Sequence, residues 1–128
     1  MKIEHLAIWV NDLERMRLFY ETYFGGKAGK RYHNPAKNFT SYFLSFEQGP
    51  RLELIHRPNM AQKTINREEQ IGITHFAVSV GAKARVDELT EKLRESGFKV
   101  IGEPRSTGDG YYESVVLDPE FNRIEITV

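Results

Sequence analysis
His5-Leu6-Ala7-Ile8-Trp9-Val10 returns seventy positions later as His75-Phe76-Ala77-Val78-Ser79-Val80. Both hexapeptides alternate, and strand side chains point to opposite faces in turn, so His5, Ala7 and Trp9 share one face while Leu6, Ile8 and Val10 share the other. A second match lies near the end of each half. Arg51-Leu52-Glu53-Leu54-Ile55 returns seventy-two positions later as Arg123-Ile124-Glu125-Ile126-Thr127. The drift of two residues needs only a small difference in loop length, so the chain reads as one module made twice.

The stretches between these anchors also correspond. In the first half Asn11, with Glu14 three residues on, predicts a capping box at a helix start. Leu13, Arg17, Leu18 and Phe19 fall within that helix, and Gly25-Gly26 suits a left-handed end. In the second half Val86, Leu89 and Leu93 recur at helical spacing, and Gly97 supplies the stop with Phe98 packing back on the last turn. Strand-like stretches come next over residues 29–32, 40–46 and 51–56, then over 99–103, 111–117 and 123–127. Each half therefore reads β-α-β-β-β, an α+β fold of two tandem modules. The expected organisation is a single domain over 1–128, with module 1 about 1–57, a linker about 58–70 and module 2 about 71–128. A polar connector of that length is expected to carry some helix or to move over the site.

Composition narrows the function. The 128 residues suffice for one ordinary domain with a real core, and 40% hydrophobic content excludes the signature of disorder. Eighteen basic residues balance eighteen acidic ones with no basic stripe, which disfavours nucleic acid. No apolar run is long enough to span a membrane, and the opening MKIEHLAIWV lacks the layout of a signal peptide, so the cytoplasm is the expected location. The chain has no cysteine, which removes disulfides, thiolate catalysis and sulfur-bound zinc. No Gly-x-Ser-x-Gly elbow or phosphate-cradling loop is present; Gly108-Asp109-Gly110 is too short and reads as a turn.

A single histidine or glutamate on a strand is usually structural. Duplication alters that balance. Leu52 and Leu54, like Ile124 and Ile126, form the helix-facing set, which leaves Glu53 and Glu125 on the side of the histidines if the strands are neighbours. Two modules then offer His5, Glu53, His75 and Glu125, a nitrogen and oxygen set suited to one divalent metal. Nickel, cobalt, zinc, manganese and iron suit it about equally. His33 and His56 have no counterparts in the repeat; His56 lies on the face opposite Glu53, and His33 reads as a loop residue.

The paired His and Glu, the two modules and the stretch Asp118-Pro119-Glu120-Phe121-Asn122-Arg123-Ile124-Glu125-Ile126 resemble the vicinal oxygen chelate superfamily, which includes glyoxalase I, fosfomycin-resistance proteins, extradiol dioxygenases and bleomycin-binding proteins. The resemblance covers essentially the whole chain. It implies curved sheets closing barrel-like around a metal, and a homodimer, in some members with modules exchanged between chains. The order His, Glu, His, Glu is that of bacterial glyoxalase I. The resemblance therefore implies a metal-dependent lyase or isomerase acting on a small substrate with adjacent oxygens, through an enediolate-like intermediate. Glu53 or Glu125 would serve as the catalytic general base and acid. Alternatives within the same fold are a small-molecule binding or resistance protein and a non-haem iron dioxygenase. Glutathione-dependent members carry Arg where this chain has Trp9 and Asn where it has Arg57. The metal chemistry is thus retained while the substrate pocket is changed, with Trp9 and Arg57 as its candidate substrate-binding residues. The usual Gly of the Asp-Pro-x-Gly-Asn turn is replaced by Phe121.

Overall fold
The computed structural model describes residues 1–61 and 71–128. Two compact units are present, Met1–Gln62 and Lys63–Val128. Most of the expected linker, with the helix or moving segment anticipated there, lies outside the described residues.

The first unit runs β1 (His5–Trp9), α1 (Leu13–Phe24), β2 (Lys27–Ala28), β3 (Tyr32–Asn34), β4 (Phe39–Ser45) and β5 (Arg51–His56). Its sheet has the order β1-β5-β4-β2, and β3 also pairs with β4. The second unit runs β6 (Phe76–Ser79), α2 (Lys83–Glu95), β7 (Val100–Ser106), β8 (Tyr112–Leu117) and β9 (Arg123–Thr127), in the order β6-β9-β8-β7. The second unit is therefore the β-α-β-β-β module expected from the repeat, and the first follows the same order with one additional short strand, an α+β fold made twice.

One pairing matters most for the site. The first strand of each unit lies parallel to its own last strand, Ala7 beside Glu53 and Ala77 beside Glu125. Parallel neighbours need a crossover between them, and the helix supplies it. That crossover packs on one face of the sheet only. In the first unit α1 packs on β4 and β5. Leu13, Met16, Tyr20, Leu44, Leu52 and Leu54 are buried there. In the second unit α2 packs on β7, β8 and β9, with Val86, Leu93, Val116, Ile124 and Ile126 fully buried. Each such side chain contributes roughly 1.5–3 kcal/mol of transfer free energy. Thr90 and Ser114 enter this second core as a matched pair, their hydroxyls 2.6 Å apart, with Thr90 Oγ1 also donating to Val86 O.

Helix ends obey the expected logic with one correction. The cap of α1 is Asp12, whose Oδ1 accepts from Arg15 N at 3.0 Å, rather than Asn11. Gly25 ends the helix at φ 67°, as expected of the Gly-Gly pair. At the end of α2, Gly97 N donates to Arg94 O and Phe98 N to Leu93 O, the two bonds of a Schellman motif. A second difference concerns the strand expected over 29–32. It is two short strands, β2 and β3, with a break between them. Gly29 N still donates to Phe43 O at 2.8 Å, so pairing with β4 persists across part of the break.

Candidate metal centre
The parallel registers put His5 and Glu53 on one face of the first sheet, and His75 and Glu125 on the matching face of the second. Ala7 and Ala77 are the residues directly beside the glutamates. With only a methyl group at that position, a histidine two residues earlier can lean across to the carboxylate. His5 Nε2 stands 3.8 Å from Glu53 Oε2, and His75 Nε2 stands 3.3 Å from Glu125 Oε2. The glutamates are mostly covered, with side chains 14% and 17% exposed, while the imidazoles are open at 39% and 43%.

The other imidazole nitrogen is engaged in both cases. His5 Nδ1 lies 2.5 Å from Glu4 Oε2. A carboxylate only accepts, so Nδ1 donates to Glu4 while Nε2 faces Glu53. Glu4 is fixed in turn by Arg51, whose Nε donates to Oε1 at 2.8 Å. The hydrogen bond from His5, then that from Arg51, holds the Glu4 carboxyl below its ordinary range. In the second unit Thr74 Oγ1 is 2.9 Å from His75 Nδ1. Orienting a ligand imidazole through its second nitrogen is the usual device of metal sites. Glu4 and Thr74 escaped sequence reasoning; their signal was an oxygen-bearing side chain immediately before each repeated histidine.

The donor set fits a divalent ion. Metal–nitrogen and metal–oxygen bonds of about 2.0–2.2 Å place neighbouring donors roughly 3–3.5 Å apart. The two Nε2–Oε2 separations lie at and just beyond that range. Among the described residues no group of three or more His, Cys, Asp or Glu is placed to hold an ion; each unit holds one His–Glu pair.

Glu113 is a further residue that sequence reasoning missed. It sits on β8 opposite Thr127, diagonal to Glu125 on the same face. Its only sequence signal was strand alternation. Burial, then the charge of Glu125, pushes its carboxyl above the ordinary range, opposed by Arg105, whose Nη2 is 3.3 Å from Glu113 Oε1. A carboxyl raised in the folded state favours its neutral form, so it costs stability above its folded pKa and ceases to as pH falls through it. In metal-free protein Glu113→Gln is therefore expected to raise stability at neutral and alkaline pH, as measured by urea unfolding. The gain should shrink as the pH falls toward the ordinary carboxylate range.

Of the substrate-binding candidates, Trp9 is half-exposed on the same face as His5. Arg57 stands with its guanidinium 6.0 Å from the centre of the Trp9 ring, and its Nη2 donates to Lys37 O at 3.0 Å. The remaining histidines are tied elsewhere. His56 Nδ1 is 3.0 Å from Val10 O, and His33 is a β3 residue rather than a loop residue, its Nδ1 3.1 Å from Thr40 Oγ1.

With this geometry in place, comparison with known proteins identifies the lineage. The model of the Glyoxalase/Bleomycin resistance protein/Dioxygenase superfamily matches residues 2–126. The chain belongs to this superfamily. An uncharacterized Bacillus subtilis protein, YqjT, is 27% identical over 97% of this chain and 96% of its own length. A lactoylglutathione lyase of Arabidopsis thaliana is 30% identical over 95% of this chain. The chain spans only 42% of that plant protein. A glyoxylase/bleomycin resistance protein/dioxygenase domain from Frankia shares the fold with a TM-score of 0.85 at 16% identity, over 100% of this chain and 97% of that one.

The turn before β9 is held by one aspartate. Asp118 Oδ1 accepts from Glu120 N and Asn122 N at 2.9 and 2.8 Å, and Phe121 itself takes the left-handed conformation at φ 64°. The strain of a bulky residue there is offset by the hydrogen bonds that Asp118 collects. Through this turn β9, and with it Glu125, is set in register against β8.

Proposed function
We propose that this chain is a metal-dependent lyase or isomerase of the glyoxalase type, acting on a small molecule with adjacent oxygens. One observation carries the proposal. Two equivalent His–Glu pairs recur at the same sheet register, each imidazole with Nε2 toward its carboxylate and Nδ1 held from behind. In this reading the two modules act as one domain over residues 1–128, and both pairs serve one ion, within a homodimer of the cytoplasm. Nickel, cobalt, zinc, manganese and iron all suit the donors.

A divalent ion held by His5, Glu53, His75 and Glu125 would supply Lewis-acid polarisation of a substrate carbonyl. The chain's own residues do the remainder. His5 and His75 would present Nε2 to the ion, their second nitrogens being engaged by Glu4 and Thr74. Glu53 or Glu125 takes the proton from the carbon beside the carbonyl and returns it to the neighbouring one. Phe43, edge-on to His5 at 5.3 Å and beneath Arg51, braces the first imidazole. Trp9 and Arg57 stand where glutathione-dependent members carry Arg and Asn, so the arm of the substrate they contact differs from glutathione.

The test is turnover of α-ketoaldehydes offered with several thiols, glutathione included, before and after a chelator. Chelator-sensitive isomerisation with a thiol other than glutathione, or with none, is expected. Turnover indifferent to metal would contradict the reading.

A further inference from the structure
The ligand rows of the two units match, but the rows beside them do not. One pleat step beyond Ala7–Glu53–Phe43, the first sheet carries Trp9, Ile55, Ser41 and Tyr32 side by side on adjacent strands. The equivalent row of the second sheet is Ser79, Thr127, Glu113 and Arg105. A duplicated scaffold thus presents an aromatic row in one copy and a polar, charged row in the other.

The aromatic row has the form of a slot. Strands stand about 4.8 Å apart, so Trp9 and Tyr32 rise from backbones roughly 14 Å apart over a floor of Ile55 and Ser41. Both rings are large and half open, at 49% and 52% exposure. Neither is loose. Tyr32 Oη accepts from Asn34 Nδ2 at 3.1 Å and its ring lies 5.8 Å from that of Phe39. Trp9 lies under Arg57, itself fastened to Lys37 O. Ser41, in the row between them, is itself fully buried. At the far end of the slot from His5, no carboxylate among the described residues pairs with Arg57.

These features lie in order along one face. The His5–Glu53 pair comes first, the aromatic row about 7 Å further on, and the arginine beyond it. Aromatic rings favour another ring beside them, and a fixed guanidinium favours a carboxylate. We propose that the substrate is an aryl compound, with adjacent oxygens at the metal pair, its ring between Trp9 and Tyr32, and an acidic substituent across the ring taken by Arg57. This rests on the function proposed above and names its substrate class.

The experiment is calorimetric titration of zinc-loaded protein with pyruvate, benzoylformate and 4-carboxybenzoylformate, with and without chelator. Fluorescence of Trp9, the one tryptophan of the chain, gives a parallel signal. Benzoylformate is expected to bind about tenfold or more tighter than pyruvate, and the second carboxylate to add about threefold or more. Tyr32→Ala and Trp9→Leu should each erase most of the first step. Arg57→Met should erase only the second, which shows that the variant still folds and binds. Equal affinity for benzoylformate and pyruvate, or a preference that survives both aromatic variants, overturns the slot even where binding needs metal, and the metal reading then stands. A phenyl preference lost in Tyr32→Ala but indifferent to metal supports the slot and overturns the metal reading.

Discussion
Glu53→Gln or Glu125→Gln is expected to lower turnover by about 10²- to 10⁴-fold, the ordinary worth of a positioned general base. Glutamine keeps the shape and an oxygen donor but cannot accept the proton. The two positions are near-equivalent by register, and both side chains are mostly covered. Only one of them need handle the substrate's proton. The variant at that position should lose turnover at saturating metal, and the other should lose mainly metal affinity. Steady-state rates across a metal titration separate the two effects. Both variants keeping turnover within about threefold at saturating metal would remove the carboxylate from the proposed chemistry.

The second large effect concerns the imidazoles. His5→Ala or His75→Ala deletes a nitrogen donor outright, and each is expected to weaken metal binding by at least about 10³-fold, well beyond the loss of an orienting partner. The residues behind them should matter less but measurably. Glu4→Gln and Thr74→Val are expected to cost about 10- to 100-fold, the usual range for partners that orient a ligand. Competition with a chelating dye measures all four. Equal losses in Glu4→Gln and His5→Ala would mean that the imidazole is a structural group rather than a ligand. Both imidazoles are open to solvent, so their removal leaves the core intact, and circular dichroism checks this.

Much of this was legible from the repeat. Once His5 and His75 were seen to open equivalent strands, strand alternation alone separated the helix-facing leucines and isoleucines from the chemistry-bearing side chains. The parallel pairing of β1 with β5 and of β6 with β9 then made neighbours of residues some fifty positions apart. What escaped depends on details that alternation does not encode. Glu4 and Thr74 reach the imidazoles through their own rotamers. Glu113 meets Glu125 only through the register of β8 on β9, and Arg105 meets Glu113 across a strand with irregular pairing. The α1 cap fell to Asp12 because two capable residues stand next to each other, and only the backbone decides between them. The strand anticipated over 29–32 splits into β2 and β3, a break that its glycine and basic residues did not specify. Trp9 and Arg57 were recognisable as substitutions within the family pattern. Their partner Tyr32 became visible only when β3 was placed beside Ser41.

The central claim is that two His–Glu pairs serve one ion, and metal stoichiometry tests it most directly. Purified protein should be stripped, dialysed against excess zinc or nickel, and analysed by elemental mass spectrometry, alongside His5→Ala and His75→Ala. One ion per chain in the wild type, with none retained when either histidine is replaced, is the predicted result. Two ions per chain, each lost with only its own histidine, or no uptake at all, would contradict it.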